Sequence, residues 1–191
     1  MRTEKPSGLW LFRIVESLGV ALVLAILLLT FVMPTAKVVG PSMRETLQEG
    51  DLLITLRPWI TGESKQGDIV VVREESFFGE PIIKRVIATG GETVDIDFET
   101  GLVTVDGMIL NEPYICELTM QDEGTIFPYT VPEGKLFLMG DNRSTSDDSR
   151  NSRLGAVSED KLIGKAVFLL FPGVNAADNQ RDIHRIGLIN K

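Results

Sequence analysis

The chain has 191 residues and a formal net charge of −8, with one cysteine, Cys116, and one histidine, His184. A single thiol excludes an internal disulfide, and one His with one Cys argues against a zinc site built from those ligands. The acid excess removes the basic face that sequence-independent nucleic-acid binding needs, so no nucleic-acid partner is expected.

The first element is an apolar run over residues 17–33 without a charge, and its apolar character reaches back to Gly8 past Arg13 and Glu16. That length suits a short membrane-spanning helix. A secretory signal peptide shares a basic start and an apolar core. This run is longer than the usual signal core, however, and Pro34-Thr35-Ala36 is a poor cleavage site. An uncleaved anchor over residues 8–33 is therefore expected, with residues 1–7 before it. Arg2, Lys5 and Arg13 precede the span and only Lys37 and Arg44 follow closely, so the amino end should be cytoplasmic and the rest outside.

Ser42 follows in Val38-Val39-Gly40-Pro41-Ser42-Met43, nine residues past the run. Nine residues reach at most about 30 Å, so this hydroxyl works close to a bilayer surface. Residues 41–47 have the pattern of a single turn. Beyond it, short apolar stretches separated by Gly, Pro and Asp predict strands over 51–56, 67–73, 81–88, 92–97, 102–105, 108–110, 135–139 and 162–171. The fold class expected is mostly β: an N-terminal transmembrane helix, then an antiparallel β catalytic domain. Residues 34–90 and 134–191 would form its core, with a small β-hairpin lobe inserted at 91–133. Trp59 and Ile60, like Phe77 and Phe78, fall in polar-flanked loops. They are either ordinary core aromatics and aliphatics or a rim touching membrane lipid.

With histidine so scarce, lysine is the natural base for a serine nucleophile. A free lysine, near pKa 10.4, must fall to about 8 to be largely neutral there, a change on the order of 3 kcal/mol, and apolar burial supplies such a change. Lys84 sits mid-strand in Pro81-Ile82-Ile83-Lys84-Arg85-Val86-Ile87-Ala88, on one face with Ile82 and Val86. Arg85 points the other way. Lys135 and Lys165 follow glycines at or near strand starts. A mid-strand lysine is also what guards an exposed sheet edge, and composition alone leaves both readings open.

Gly140-Asp141-Asn142-Arg143-Ser144-Thr145-Ser146-Asp147-Asp148-Ser149-Arg150 follows the strand at 135–139. It reads as a hydrophilic loop held by its own Asp–Arg pairs, or as something more. Asp141, Asp148, Arg143 and Arg150 can form a pinned network, and the hydroxyls of Ser144, Ser146 and Ser149 can orient a neighbouring amine.

These blocks together resemble the bacterial type I signal peptidases, membrane-bound serine proteases that remove signal peptides from exported proteins. The resemblance runs from the anchor to about Pro172. It rests on Pro41-Ser42-Met43 with Thr46-Leu47, on Gly67-Asp68-Ile69-Val70, on Lys84-Arg85-Val86-Ile87, and on residues 140–150, which fit the family signature at every fixed position. Smaller echoes are Asp106-Gly107, Leu110-Asn111-Glu112-Pro113-Tyr114, Val131-Pro132 and Gly164-Lys165-Ala166.

The resemblance implies that Ser42 is the nucleophile, Lys84 its general base, and Ser146 a hydrogen-bond partner of the Lys84 amine. Asp141, Arg143, Asp148 and Arg150 would be structural, Arg85 would pair with Asp141, and Met43 would line the substrate pocket. The Ser42 N–H would donate to the oxyanion. The expected substrates are preproteins carrying signal peptides, cleaved after small residues, with no cofactor or metal required. Three positions depart from the family pattern. Gly40 offers no side-chain donor two residues before Ser42, while Glu45 and Ser158 stand where proline is common. The rival readings are a self-cleaving Ser–Lys repressor peptidase, against which the anchor and acidity speak, and an inactive relative that binds exported chains or assists surface assembly. An inactive relative should lack Ser42 or Lys84. His184 is expected to be a tail residue without a catalytic role.

Overall fold

In a computed structural model, residues 9–74, 79–175 and 180–189 are described. The apolar run forms one helix, α1 (Leu9–Phe31), whose side chains are exposed along its length. It is long and apolar enough to cross a membrane. Phe77 and Phe78, expected in a rim, lie outside the described residues.

The rest is antiparallel β structure in two sheets. The larger has eight strands: β1 (Thr35–Lys37), β2 (Leu52–Leu56), β3 (Ile69–Val72), β4 (Ile82–Thr89), β9 (Lys135–Met139), β10 (Val157–Ser158), β11 (Leu162–Phe171) and β12 (Gly187–Leu188). Its order is β1-β2-β11-β3-β4-β9-β10, with β12 added along β11. The smaller sheet joins β5 (Thr93–Asp97), β6 (Leu102–Val105), β7 (Met108–Ile109) and β8 (Tyr129–Thr130) in the order β7-β6-β5-β8. The mostly-β antiparallel fold behind an apolar helix is therefore as the sequence reads.

Patterning explains the placement of the strands. In β5 and β6 the residues alternate, Val94, Ile96, Val103 and Val105 inward and Asp95 and Asp97 outward. The inner face joins Ile87, Phe137 and Met139 in a core shared by the two sheets. Strands β3 and β4 instead run nearly continuously buried, as central strands covered on both faces do. A second core packs Met43 and Leu47 of the Ser42 turn against Leu53, Val71 and Ile83.

The two-residue strands β8, β10 and β12 were not anticipated, because two residues carry no period to detect. Trp59 and Ile60 belong to one helical turn, α2 (Pro58–Thr61), with proline opening it and Trp59 exposed. Lys165 lies in β11, which has the bounds expected for that strand, but it is buried, which its place near the strand start did not suggest.

Candidate active site

The Ser42 turn is built without a ladder partner. Leu47 N–H donates to Met43 O at 2.8 Å and Arg44 N–H to Pro41 O at 3.0 Å. The buried side chains of Met43 and Leu47 hold it down, leaving Ser42 half-buried above them. Met43 is only 1% exposed and packs into the core beneath the turn. Val38 and Leu47 belong to the same buried cluster. Glu45 adopts φ 62, a left-handed conformation that the ring of proline forbids. The departure at that position is therefore a change of backbone shape as well as of charge.

Asn142 joins this turn to the block at 140–150. Its N–H donates to Ser42 O at 3.0 Å and its side-chain amide to Pro41 O at 3.2 Å. No role was foreseen for it. Gly140 shows how close the approach is: a Cβ there would collide with both Ser42 O and the Ser146 hydroxyl. Glycine is the residue that lets these two groups meet over the end of β9.

Lys84 comes to the same place from β4. Arg85 is in register with Met139, so Lys84 runs alongside Gly140. Strand β4 lies between β3 and β9, which removes the sheet-edge explanation for its lysine. Lys84 is 3% exposed, and among the described residues no carboxylate stands within ion-pair distance of its amine. Burial brings its pKa down from 10.5 to about 8, against the opposing pull of Asp148, Asp147 and Asp141. Ser146 is buried beside them. Its hydroxyl is near enough to Asp148 to favour that carboxylate, yet it meets hydrogen-bond geometry with none of the described residues.

The charged residues of the block bind outward as well as to each other. Asp148 accepts from Arg150 Nε and Nη2, both at 2.9 Å, and from Gly140 N–H at 2.9 Å. Burial alone would raise the Asp148 carboxyl, but the Arg150 guanidinium holds it below the usual carboxylate value. Arg150 also donates to the carbonyls of Arg143 and Ser146, which shapes the loop. Asp141, by contrast, pairs with Arg85 at 2.8 and 2.7 Å, fully buried, and accepts from the Thr46 hydroxyl at 2.5 Å. The Tyr114 ring covers Arg85 at 3.8 Å. Arg143 pairs with Glu112 and donates to Thr119 Oγ1 at 2.5 Å.

The network is thus not closed within residues 140–150. It ties the Ser42 turn, β4 and the 112–119 segment together. Thr46, Glu112, Tyr114 and Thr119 were not assigned as site residues, although Thr46-Leu47 in the nucleophile block and the Glu112-Pro113-Tyr114 echo pointed to the first three. Ser149 accepts Leu138 N–H at 2.9 Å and Ser144 donates to Asn142 Oδ1 at 3.3 Å. His184 is exposed in a short 3₁₀ turn capped by Asp182. Among the described residues no group of three or more His, Cys, Asp or Glu side chains is placed to hold a metal ion.

Comparison with known proteins gives the family. The family described as "Signal peptidase, peptidase S26" matches residues 11–171. The chain belongs to that family. It is 36% identical over 178 residues to signal peptidase I of Bacillus licheniformis, covering 89% of this chain and 92% of that one. It is 36% identical over 165 residues to signal peptidase I T of Bacillus subtilis, covering 82% and 83%. A probable signal peptidase I-1 of Synechocystis is 37% identical over 163 residues, covering 81% and 80%. A crystal structure of a signal peptidase I from Enterococcus faecalis covers 55% of this chain and 97% of that one, at 30% identity and a TM-score of 0.46.

Proposed function

We propose that this chain is a membrane-anchored endopeptidase that removes N-terminal signal peptides from exported preproteins after small residues, using Ser42 as nucleophile and Lys84 as general base. The observation that carries the dyad is Lys84. It is buried in a central strand without a carboxylate partner among the described residues, with its pKa near 8, beside the glycine against which the Ser42 turn is packed. A lysine so placed is neutral where a free lysine is charged, which is the requirement for accepting a proton.

In the acylation step Ser42 Oγ attacks the scissile carbonyl carbon while its proton passes to Lys84 Nζ. The Ser42 N–H donates to the oxyanion that forms, and Gly40 adds no side-chain donor there. Collapse of the intermediate breaks the C–N bond, and the Lys84 ammonium returns its proton to the departing amine. Lys84 then takes a proton from water, whose oxygen attacks the acyl ester and frees Ser42. The hydroxyl of Ser146, buried and without a hydrogen-bond partner among the described residues, orients the Lys84 amine. Asp141 with Arg85, Asp148 with Arg150, and Arg143 with Glu112 keep the pieces in place.

Helix α1 anchors the chain with its amino end in the cytoplasm and the sheets on the outer face, so the site meets a signal peptide where it emerges from lipid. Residues 34–90 and 134–191 act as the catalytic core, with 91–133 an inserted lobe. The test is cleavage of a preprotein by purified Ser42→Ala and Lys84→Ala variants. Each is expected to stay folded and lose cleavage, and full activity in either one sinks the dyad.

A further inference from the structure

The Ser42 turn has three grips along its length, and the last of them comes from the far end of the chain. Asn142 holds its beginning and Asp141 its middle, through Thr46. Its end is Asp51, fully buried, whose Oδ2 accepts Gln48 N–H at 2.8 Å and whose Oδ1 accepts Gly173 N–H at 2.7 Å. The counter-charge to this carboxylate is Arg185, which spans both oxygens: Nη1 to Oδ1 at 3.0 Å and Nη2 to Oδ2 at 2.7 Å. The same Nη2 also donates to Thr46 O at 3.4 Å.

Thr46 therefore lies between two arginines. Arg85 reaches its hydroxyl at 3.5 Å from one side and Arg185 its carbonyl from the other. Two ion pairs, the buried Arg85–Asp141 and the partly buried Arg185–Asp51, flank one residue four positions after Ser42. Arg185 is itself held firmly. The 3₁₀ turn carrying it is capped by Asp182, β12 pairs with β11, and Ile189 donates its N–H to Val167 O at 3.1 Å while packing on the core that contains Met43 and Leu47.

We infer that Arg185 is a positioning residue for Ser42, holding the far end of the nucleophile turn through Asp51 and Thr46. The inference rests on the reading of Ser42 as nucleophile. A planar guanidinium gripping both carboxylate oxygens restrains direction as well as distance, which an ammonium cannot do. Without it, Asp51 keeps two N–H donors but loses its only charged partner among the described residues. The turn then keeps its first two grips, and Ser42 is free to drift relative to Lys84. Displacing a reacting group by about 1 Å costs up to roughly a hundredfold in rate.

The experiment measures preprotein cleavage and acylation of Ser42 by a serine-reactive acylating inhibitor, with the adduct mapped by mass spectrometry, in wild type, Arg185→Ala and Arg185→Lys. Circular dichroism sets a temperature at which every variant is folded. For folded Arg185→Ala we expect kcat and the acylation rate to fall together by about tenfold or more while KM holds, and Arg185→Lys to recover part of the loss. If Arg185→Ala does not fold, Arg185→Lys carries the same test with a smaller drop. A folded variant with the wild-type kcat and acylation rate, or a loss confined to KM, overturns the role of Arg185. An adduct on a residue other than Ser42 in the wild type overturns the nucleophile instead.

Discussion

Lys84 and Lys165 stand in one row of the larger sheet, each in register with Val70 on the strand between them. Both are buried, at 3% and 7% exposure. Their surroundings differ in one respect. Lys165 has Asp68 at 3.0 Å and donates to Glu63 O at 2.5 Å, so its charge is matched where it lies. Lys84 has its acidic neighbours at longer range, and the nearest strong pair, Asp148–Arg150, is already satisfied within itself. Burial is common to the two lysines, so burial is not what makes a base. The missing close counter-charge is.

Substituting each lysine with methionine tests that contrast most severely. Lys84→Met should lose cleavage on the order of ten-thousandfold, as removal of a member of a catalytic unit does, while its melting temperature stays level or rises. Lys165→Met should do the reverse. It takes from Asp68 its ion pair with Lys165 while the Lys65 N–H at 3.0 Å remains, which costs about 1–3 kcal/mol of stability, yet its kcat at a temperature where it is folded should match wild type. Thermal unfolding together with cleavage kinetics on the two variants decides the matter. A Lys165→Met that is folded but inactive breaks the comparison.

The pH dependence sharpens it. The folded chain gives up the Lys84 proton near pH 8, and the unfolded chain does so near 10.5. Between those values the unfolded chain binds more protons, so this group makes stability rise with pH across that window. Below about 8 both states are protonated and the burial penalty is complete. Denaturant unfolding of wild type and Lys84→Met should therefore show wild type gaining on the variant from pH 8 to 10.5. The cleavage rate, kcat/KM, should rise with pH and reach half its plateau near 8. A rate limb that sits at the usual lysine value removes Lys84 as the base.

Much of this was legible in the residues, and the rest has physical reasons for being hidden. Strand alternation put Lys84 among Ile82 and Val86, and the fold adds only that β4 is central. Local spacing set Lys165 aside as a residue near a strand start, but it could not show the ion partner, Asp68, which strand pairing brings across. Long-range ion pairs are hidden from local spacing for the same reason: Arg85–Asp141 was expected from the family resemblance alone, and Arg143–Glu112 was not foreseen, whereas Asp148 finds Arg150 two residues on, as the block's own spacing suggested. Asp51 and Arg185 are farther apart still and carry no motif that a single sequence displays.

The smallest effect expected comes from Glu123, which lies on the Lys84 side of the row. Its carboxyl stands 3.3 Å from Arg150 Nη2. Burial pushes its pKa up to about 7 against the pull of Arg150, with the charges of Asp148 and Asp147 adding to the rise and that of Lys84 opposing it. At pH 8 it is mostly ionised and favours the Lys84 ammonium, more weakly than Asp148 and Asp147 do. Glu123→Gln removes that charge, so the acid limb of the rate profile should move to lower pH by roughly a few tenths of a unit. Stability should respond separately. The folded chain holds the Glu123 proton up to about 7 and the unfolded chain only to 4.5, so this group makes wild-type stability fall as pH rises through that window, and the variant should flatten the fall. The Lys165 side supplies the control: adding Glu123→Gln to Lys165→Met should leave the cost of losing Lys165 unchanged, since distant sites add. A rate limb moving to higher pH contradicts the sign of the coupling and places Glu123 outside the field of Lys84.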